Sequence, residues 1–302
     1  VELAKIEFPA PCYSMAVKPV GKGDEGKISQ GMSRLLEEDP TLSFVLNTET
    51  KEQVLSGLGE QHLDVTIAKL KNKFGVDVKL EKPTVAYRET IRKKVKVQGK
   101  HKKQSGGHGQ YGDVWIEFEP CDSEELVFAE NVFGGAVPRN FFPAVEKGLQ
   151  DCVKKGVLAG YPVVGLKATL VDGSYHPVDS SEMAFKTAAS LAYKAGLQEA
   201  SPIILEPIGS LKVQVPDDTT GDMMGELNKR RGRVLGMNSI GEGMTEIEAE
   251  APMSEMQDFA TLVRQMTQGS GSFTLEFSRY DPLPSNLEAA VIANSKRLTS
   301  EA

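Results

Sequence analysis

Along the first 80 or so residues the apolar positions switch between a period of two and a period near 3.6. Residues 12–18 read as a strand, and Ile28, Met32, Leu35 and Leu36 then mark one face of a helix that stops before Pro40, whose ring cannot continue it. Residues 42–46 and 53–58 read as two further strands. A second stripe, Leu63, Ile67, Leu70 and Phe74, ends at Gly75, which is suited to the left-handed turn that closes a helix. Residues 76–80 complete the unit. The order βαββαβ is that of the ferredoxin-like, split βαβ arrangement, in which two helices cover one face of a four-stranded antiparallel sheet.

The same order predicts a second such unit near the C-terminus, although no sequence repeat marks it. Residues 205–215 read as a strand and 221–231 as a helix closed by Gly232, followed by a hairpin of 233–240 and 244–251 around Gly241, Glu242 and Gly243. Met256, Phe259, Leu262, Val263 and Met266 mark a helix ended by Gly269, and 272–280 is the last strand. After Pro282 and Pro284, residues 286–298 carry the pattern of a terminal helix. The stretch between the two units differs. It opens with long β segments over 85–104 and 111–120, then gives a helix with Phe142, Val145, Leu149 and Val153 on one face and a strand over 163–175. A last helix over 180–195 has Asp179 and Glu182 at capping-box spacing and Gly196 as its stop. The fold class is therefore α+β with three domains, two ferredoxin-like ones flanking a third, joined by short linkers at Lys82-Pro83 and Ser201-Pro202.

Composition narrows the function classes. At 302 residues the chain exceeds the usual single-core size. No apolar run approaches the roughly 20 residues of a membrane helix. Cys12, Cys121 and Cys152 lie far apart without CxxC spacing, which argues against zinc or a disulfide framework and for a reducing compartment, the cytoplasm. No cationic stretch precedes an apolar one at the start, and the first residue is Val, so the chain is expected to begin inside a longer protein. A net charge of −7 disfavours indiscriminate nucleic-acid binding, which needs concentrated cations. Local runs could still serve: Arg92, Lys93, Lys94, Lys96, Lys100, Lys102 and Lys103 have no acid among them, and Lys229, Arg230, Arg231 and Arg233 form a second group. Each is either a solvated face or an RNA-binding patch.

Among motifs, GKGDEGKIS (21–29) approaches a phosphate-cradling loop, but Ile28 stands where a magnesium-binding hydroxyl is needed and Asp24 and Glu25 would oppose phosphate. It reads as a polar loop with an acidic helix start. Asp222 to Gly225 matches DxxG and Asn228-Lys229 begins an NKxD, yet both lie within one helix and Arg231 replaces the aspartate. Ser174, His176 and Asp179 are the residue types of a hydrolase triad, but they share one short segment and no GxSxG elbow occurs. His176 instead precedes a helix N-terminus, where anions are favoured. In KHKKQSGGHGQYGDVWIEFEP (100–120), four glycines within eight residues exceed what a hairpin needs. With Gln104, Gln110 and Tyr111 able to hydrogen-bond or stack and lysines beside them, the segment suggests close approach to an RNA backbone; a plain flexible loop is the alternative.

The blocks EEDPTL (37–42), LSGLGEQHLDV (55–65), KPTVAYRETI (82–91), KQSGGHGQYGDV (103–114), SYHPVDSSEMAFKTAA (174–189), LEPI (205–208) and GELNKRRGRV (225–234) run through essentially the whole chain in order. With them the chain resembles the C-terminal domains III to V of bacterial translation elongation factor G, or of an elongation factor G-like paralogue.

The resemblance implies a domain III-like segment over 1–83, a domain IV-like arm over 84–203 with a left-handed βαβ crossover, and a domain V-like segment with a C-terminal helix over 204–302. It implies a ribosome-binding fragment of a translational GTPase whose parent promotes GTP-dependent translocation of tRNA and mRNA. The arm would enter the decoding centre through tip contacts matching Gln104, Ser105, Gly106, Gly107, His108, Gly109, Gln110, Tyr111, His176, Pro177 and Asp179. Contacts to rRNA would come from Lys100, Lys102, Lys103, Asn228, Lys229, Arg230 and Arg231. Domain III would relay the nucleotide state to the arm. Expected partners are the ribosome with its rRNA, A-site tRNA and mRNA, for a cytoplasmic monomer without membrane attachment. No catalytic residue, metal or cofactor is expected in this chain; GTP and magnesium would belong to the GTPase domain that precedes these domains in the family. His108 stands where the family usually has a basic residue, and Pro177 where an acid is common. These departures leave open a paralogue acting in ribosome recycling or ribosomal protection. A stand-alone RNA-binding module and a small-molecule enzyme built around His176 are the other readings.

Overall fold

The computed structural model describes residues 6, 8–104 and 107–295. They form two compact units: residues up to 86 together with 207–279, and residues 87–206 together with those from 280 on.

In the first segment the predicted order appears as β1 (Tyr13–Pro19), α1 (Glu25–Glu38), β2 (Ser43–Asn47), β3 (Glu52–Gly57), α2 (Glu60–Phe74) and β4 (Val78–Glu81). The antiparallel sheet runs β2-β3-β1-β4. Ile28, Met32 and Leu35 of α1 and Leu63 and Leu70 of α2 bury against Val17, Leu55 and Val78. Each such side chain contributes about 1.5–3 kcal/mol of burial. Gly75 closes α2 at φ 67° with its amide on the Lys71 carbonyl. The EEDPTL and LSGLGEQHLDV blocks meet here. His62 Nδ1 accepts from the Leu58 amide at 3.1 Å, so its Nε2 carries the proton toward Asp39 Oδ2 at 2.9 Å. Asp39 also accepts from the Thr41 amide at 2.9 Å. Its carboxyl sits below the usual aspartate value, chiefly through the Thr41 hydroxyl, then the Thr41 amide and His62.

The middle segment comprises β5 (Arg88–Ile91), β6 (Val95–Lys103), β7 (Gln110–Pro120), β8 (Val127–Glu130), α3 (Phe142–Cys152), β9 (Leu166–Ser174) and α4 (Glu182–Glu199). Its sheet runs β6-β7-β9-β8, antiparallel except for β8 and β9, which are parallel and joined through α3. The long β segment expected over 85–104 is two strands. The amides of Arg92 and Lys93 donate to the Ala200 carbonyl at 3.1 and 3.0 Å, turning the chain past the end of α4. Helices α3 and α4 cover one sheet face, with Val145, Leu149, Phe185 and Ala188 on Val114, Ile116, Phe118 and Leu170. Gly99 and Gly112 make this approach possible: a β-carbon on either would collide with the backbone of α4, at the carbonyl oxygens of Ala188 and Ala184 respectively.

Helix α4 differs from its sequence reading at both ends. Its N-cap is Ser181, whose hydroxyl accepts from the Ala184 amide at 3.2 Å, while Asp179 is engaged elsewhere. At the other end it runs through Gly196 to Glu199, because Gly196 faces the core and yields space to Phe118 and Val97 rather than turning the chain.

The last segment holds β10 (Pro202–Pro216), α5 (Thr220–Lys229), β11 (Arg233–Gly241), β12 (Met244–Pro252), α6 (Phe259–Met266), β13 (Ser272–Pro282) and α7 (Ser285–Asn294). The sheet β11-β12-β10-β13 restores the ferredoxin-like order. The Pro202–Leu205 stretch of β10 pairs with β5, and Ile208–Pro216 with β12. The residue that takes the left-handed conformation after α5 is Arg231, at φ 59°, not Gly232. Gly232 is required for closeness: its amide reaches the Leu227 carbonyl at 2.7 Å, which a β-carbon would meet at 2.8 Å. Helix α7 packs through Leu287 and Val291 with Leu283, Ile204, Ala159 and Tyr161, in the same unit as the middle segment. The part of the expected terminal helix beyond 295 lies outside the described residues. In the middle segment, the buried Glu89 carboxylate accepts from the amides of Leu158, Ala159 and Tyr161 at 2.9, 2.8 and 3.1 Å. Burial pushes its carboxyl above the usual value against the pull of those amides.

Candidate nucleic-acid interface

The β6–β7 connection and the β9–α4 connection lie at one end of the middle sheet, and hydrogen bonds tie them together. The Gly109 amide donates to Asp179 Oδ1 at 3.0 Å and the Tyr111 amide to the Asp179 carbonyl at 2.9 Å. Ser180 Oγ donates to the Tyr111 carbonyl at 2.9 Å and accepts from the His176 amide at 2.8 Å. Gly107 holds φ 93°, which a side chain would strain, and a β-carbon on Gly109 would meet Asp179 Oδ2 at 3.0 Å.

His176 is exposed, and its Nδ1 faces the amides of Val178 and Asp179 at 3.3 and 3.1 Å. Nδ1 is thereby the acceptor, and Nε2–H is presented outward with no hydrogen-bond partner among the described residues. This arrangement can donate to an anion or a hydroxyl. It is not a triad: His176 Nδ1 also lies 3.4 Å from Asp179 Oδ2, but Ser174 Oγ donates to Asp113 Oδ2 and meets the Tyr111 hydroxyl, each at 2.7 Å, and is not engaged by His176. Gln98 completes this buttress on Asp113 Oδ1 at 2.8 Å.

The structure brings Gly107, His108, Gly109, Gln110, Tyr111, His176, Pro177 and Asp179 to this end, with Gln104 exposed at the close of β6. Ser105 and Gly106 lie outside the described residues. Gln110 pairs with His101 at 2.8 Å. Lys100, Lys102 and Lys103 are exposed on β6, and the Lys100 ammonium sits 5.7 Å from the Tyr111 ring centre. The supporting roles of Ser180, Asp113 and Gln98 have no counterpart in the sequence reading, and Ser174, a triad candidate by residue type, serves here as a buttress. The available signal was Asp113, a carboxylate inside an otherwise apolar stretch of strand.

The α5 group is in the other compact unit and divides. Asn228 and Lys229 are exposed, Lys229 also pairing with Glu226 at 3.2 Å. Arg230 is turned inward: its guanidinium holds Asp258 at 2.6 Å, the Glu255 carbonyl at 2.6 Å and Glu226 at 3.2 Å, and lies over the Phe259 ring. The Asp258 hydrogen bond above all raises its pKa further, and Asp258 is correspondingly lowered. Arg231 pairs with Glu255 at 3.2 Å. Arg230 is thus a brace between α5 and α6, and Asn228 and Lys229 are the accessible members.

Among the described residues no helix is long and apolar enough to cross a membrane, and no group of three or more His, Cys, Asp or Glu could hold a metal. Fold and site define a multidomain α+β protein whose middle domain ends in two cross-braced polar loops, one of them glycine-rich. Family models for elongation factor G match in turn: domain III over residues 8–82, domain IV over 83–201 and the C-terminus over 203–291. An elongation factor G-like protein from Thermotoga maritima is 48% identical over all 302 residues, which span 44% of its length. A crystal structure of a protein from Thermus thermophilus superposes with a TM-score of 0.84 at 43% identity, covering 98% of this chain and 44% of that one. The chain belongs to the elongation factor G family and carries its domains III, IV and C-terminal region, spanning less than half the length of these relatives.

Proposed function

We propose that this chain is the ribosome-engaging part of an elongation factor G-like translational GTPase, and that its middle domain contacts the RNA of the decoding centre during movement of tRNA and mRNA. The observation that carries this reading is the bracing of the two tip loops, Asp179 on Gly109 and Ser180 between His176 and Tyr111. A preorganised loop pair that presents backbone, Nε2–H of His176 and flanking lysines suits sequence-tolerant contact with RNA backbones. The contacts would come from Gln104 to Tyr111 and from His176, Pro177 and Asp179, with Lys100, Lys102, Lys103, Asn228 and Lys229 toward rRNA. GTP and magnesium would be handled by the family's GTPase domain, and the partners would be the ribosome, A-site tRNA and mRNA in the cytoplasm.

A second reading, a recycling or protection factor on the same scaffold, is favoured by His108 and Pro177, which change the tip where the family is usually basic and acidic. Cosedimentation with ribosomes and single-round translocation, using a full-length family protein carrying these 302 residues, tests both. Binding with translocation supports the first reading. Binding with subunit splitting or drug release, and no translocation, supports the second. Loss of ribosome binding altogether refutes both.

A further inference from the structure

The β8–α3 connection carries the most exposed large apolar side chain described, Phe133, at 91%. Because β8 and β9 are parallel, this loop leaves the sheet at the same end as the β9–α4 connection. Two observations place it there: the Asn131 amide donates to the Leu170 carbonyl at 2.8 Å, and Val137 packs so closely on Gly173 that a β-carbon on Gly173 would meet it at 2.5 Å. Gly134 and Gly135 hold φ 66° and 71° with open space around them, so they serve the bend that projects Phe133 rather than close packing.

The surroundings of Phe133 are polar. Asn131, Arg139 and Asn140 are exposed in the same connection, Arg139 has no ion pair among the described residues, and a recess of about 370 Å³ is lined by Asn131, Gly134, Gly135 and Arg139, with Glu130 at its edge. No other exposed large apolar side chain occurs in the loop. A protein partner would be met by a cluster of apolar side chains around an aromatic anchor. A lone ring among a guanidinium and carboxamides is what an unstacked nucleobase with its phosphate requires.

We propose that the β8–α3 connection is a third RNA-contacting loop, in which Phe133 stacks on an unpaired base and Arg139 meets the adjacent phosphate. This rests on the ribosome reading above and extends it to residues that neither tip loop contains. The test uses a full-length family protein carrying these 302 residues, with the photoreactive analogue p-benzoylphenylalanine at position 133 and purified ribosomes as the probe. The expected result is a nuclease-sensitive cross-link to RNA, with affinity weakened roughly 5- to 100-fold by Phe133→Ala or Phe133→Leu and retained by Phe133→Trp, since stacking needs a ring. A cross-link to a ribosomal protein, or equal affinity for Phe133→Leu and Phe133→Trp, overturns the proposal while ribosome binding stands. If the unmodified protein does not cosediment with ribosomes, the proposal falls together with the reading beneath it.

Discussion

The amide of Gly109 reaches the carboxylate of Asp179 at 3.0 Å across 70 positions of sequence. The two loops therefore act as one surface, and removing the carboxylate should loosen it without unfolding the domain. In Asp179→Ala, amide exchange at Gly109 is expected to rise at least about tenfold, while thermal unfolding moves little because the Tyr111 to Asp179 backbone bond remains. Exchange measured residue by residue checks this; unchanged protection at Gly109 would show that the loops are held by something else.

Gly99 and Gly112 should tolerate alanine far less well than Gly107. At the first two a β-carbon collides with α4 backbone, and Gly99→Ala or Gly112→Ala is expected to cost about 2–3 kcal/mol in denaturant unfolding. Gly107 has open space and a positive φ, so Gly107→Ala should cost only about 1 kcal/mol.

Arg230 and Lys229 are neighbours with opposite expected phenotypes. Arg230→Ala breaks a charged network between α5 and α6 and should lower stability by about 1–3 kcal/mol. Lys229→Ala should leave stability unchanged and weaken ribosome affinity. The pH dependence follows from Asp258, whose folded pKa lies below its ordinary 3.8. The unfolded carboxyl binds protons first as pH falls, so the stability it confers is present above about pH 4 and lost through the folded value. Acid titration of Arg230→Ala should be flatter than that of wild type in this window.

Glu89 predicts the opposite slope. Its folded pKa is raised above the ordinary 4.5, so the folded state binds its proton more tightly and stability falls as pH rises from about 4.5 through the folded value. Replacing Glu89 with Gln should remove that decline, which urea unfolding across about pH 4 to 8 would reveal.

Much of this was legible in the sequence because periodicity reports burial. Ile28, Met32 and Leu35, and Phe259 and Val263, fell on the faces that pack. The β5–β6 break was invisible, since both halves are β-rich and the turn is set by the Ala200 carbonyl, more than 100 residues away. The four-residue β8 is too short for alternation to register. Glycines misled where they serve closeness instead of turning, as at Gly196 and Gly232. At the site, residue types identified the loops, but the Asp179 and Ser180 bridges depend on tertiary pairing. The basic run at Lys229 to Arg231 looked uniform, and only packing separates an inward Arg230 from an exposed Lys229.

The loop end of the middle domain is the centre of this account, and the most direct measurement is single-round translocation with His176→Ala and Asp179→Ala combined in a full-length family protein carrying these 302 residues. The account predicts near-normal ribosome binding and GTP turnover with translocation slowed at least about tenfold, the loss of one anchoring hydrogen bond and of loop bracing. Translocation at the wild-type rate, with the tip so altered, would contradict it.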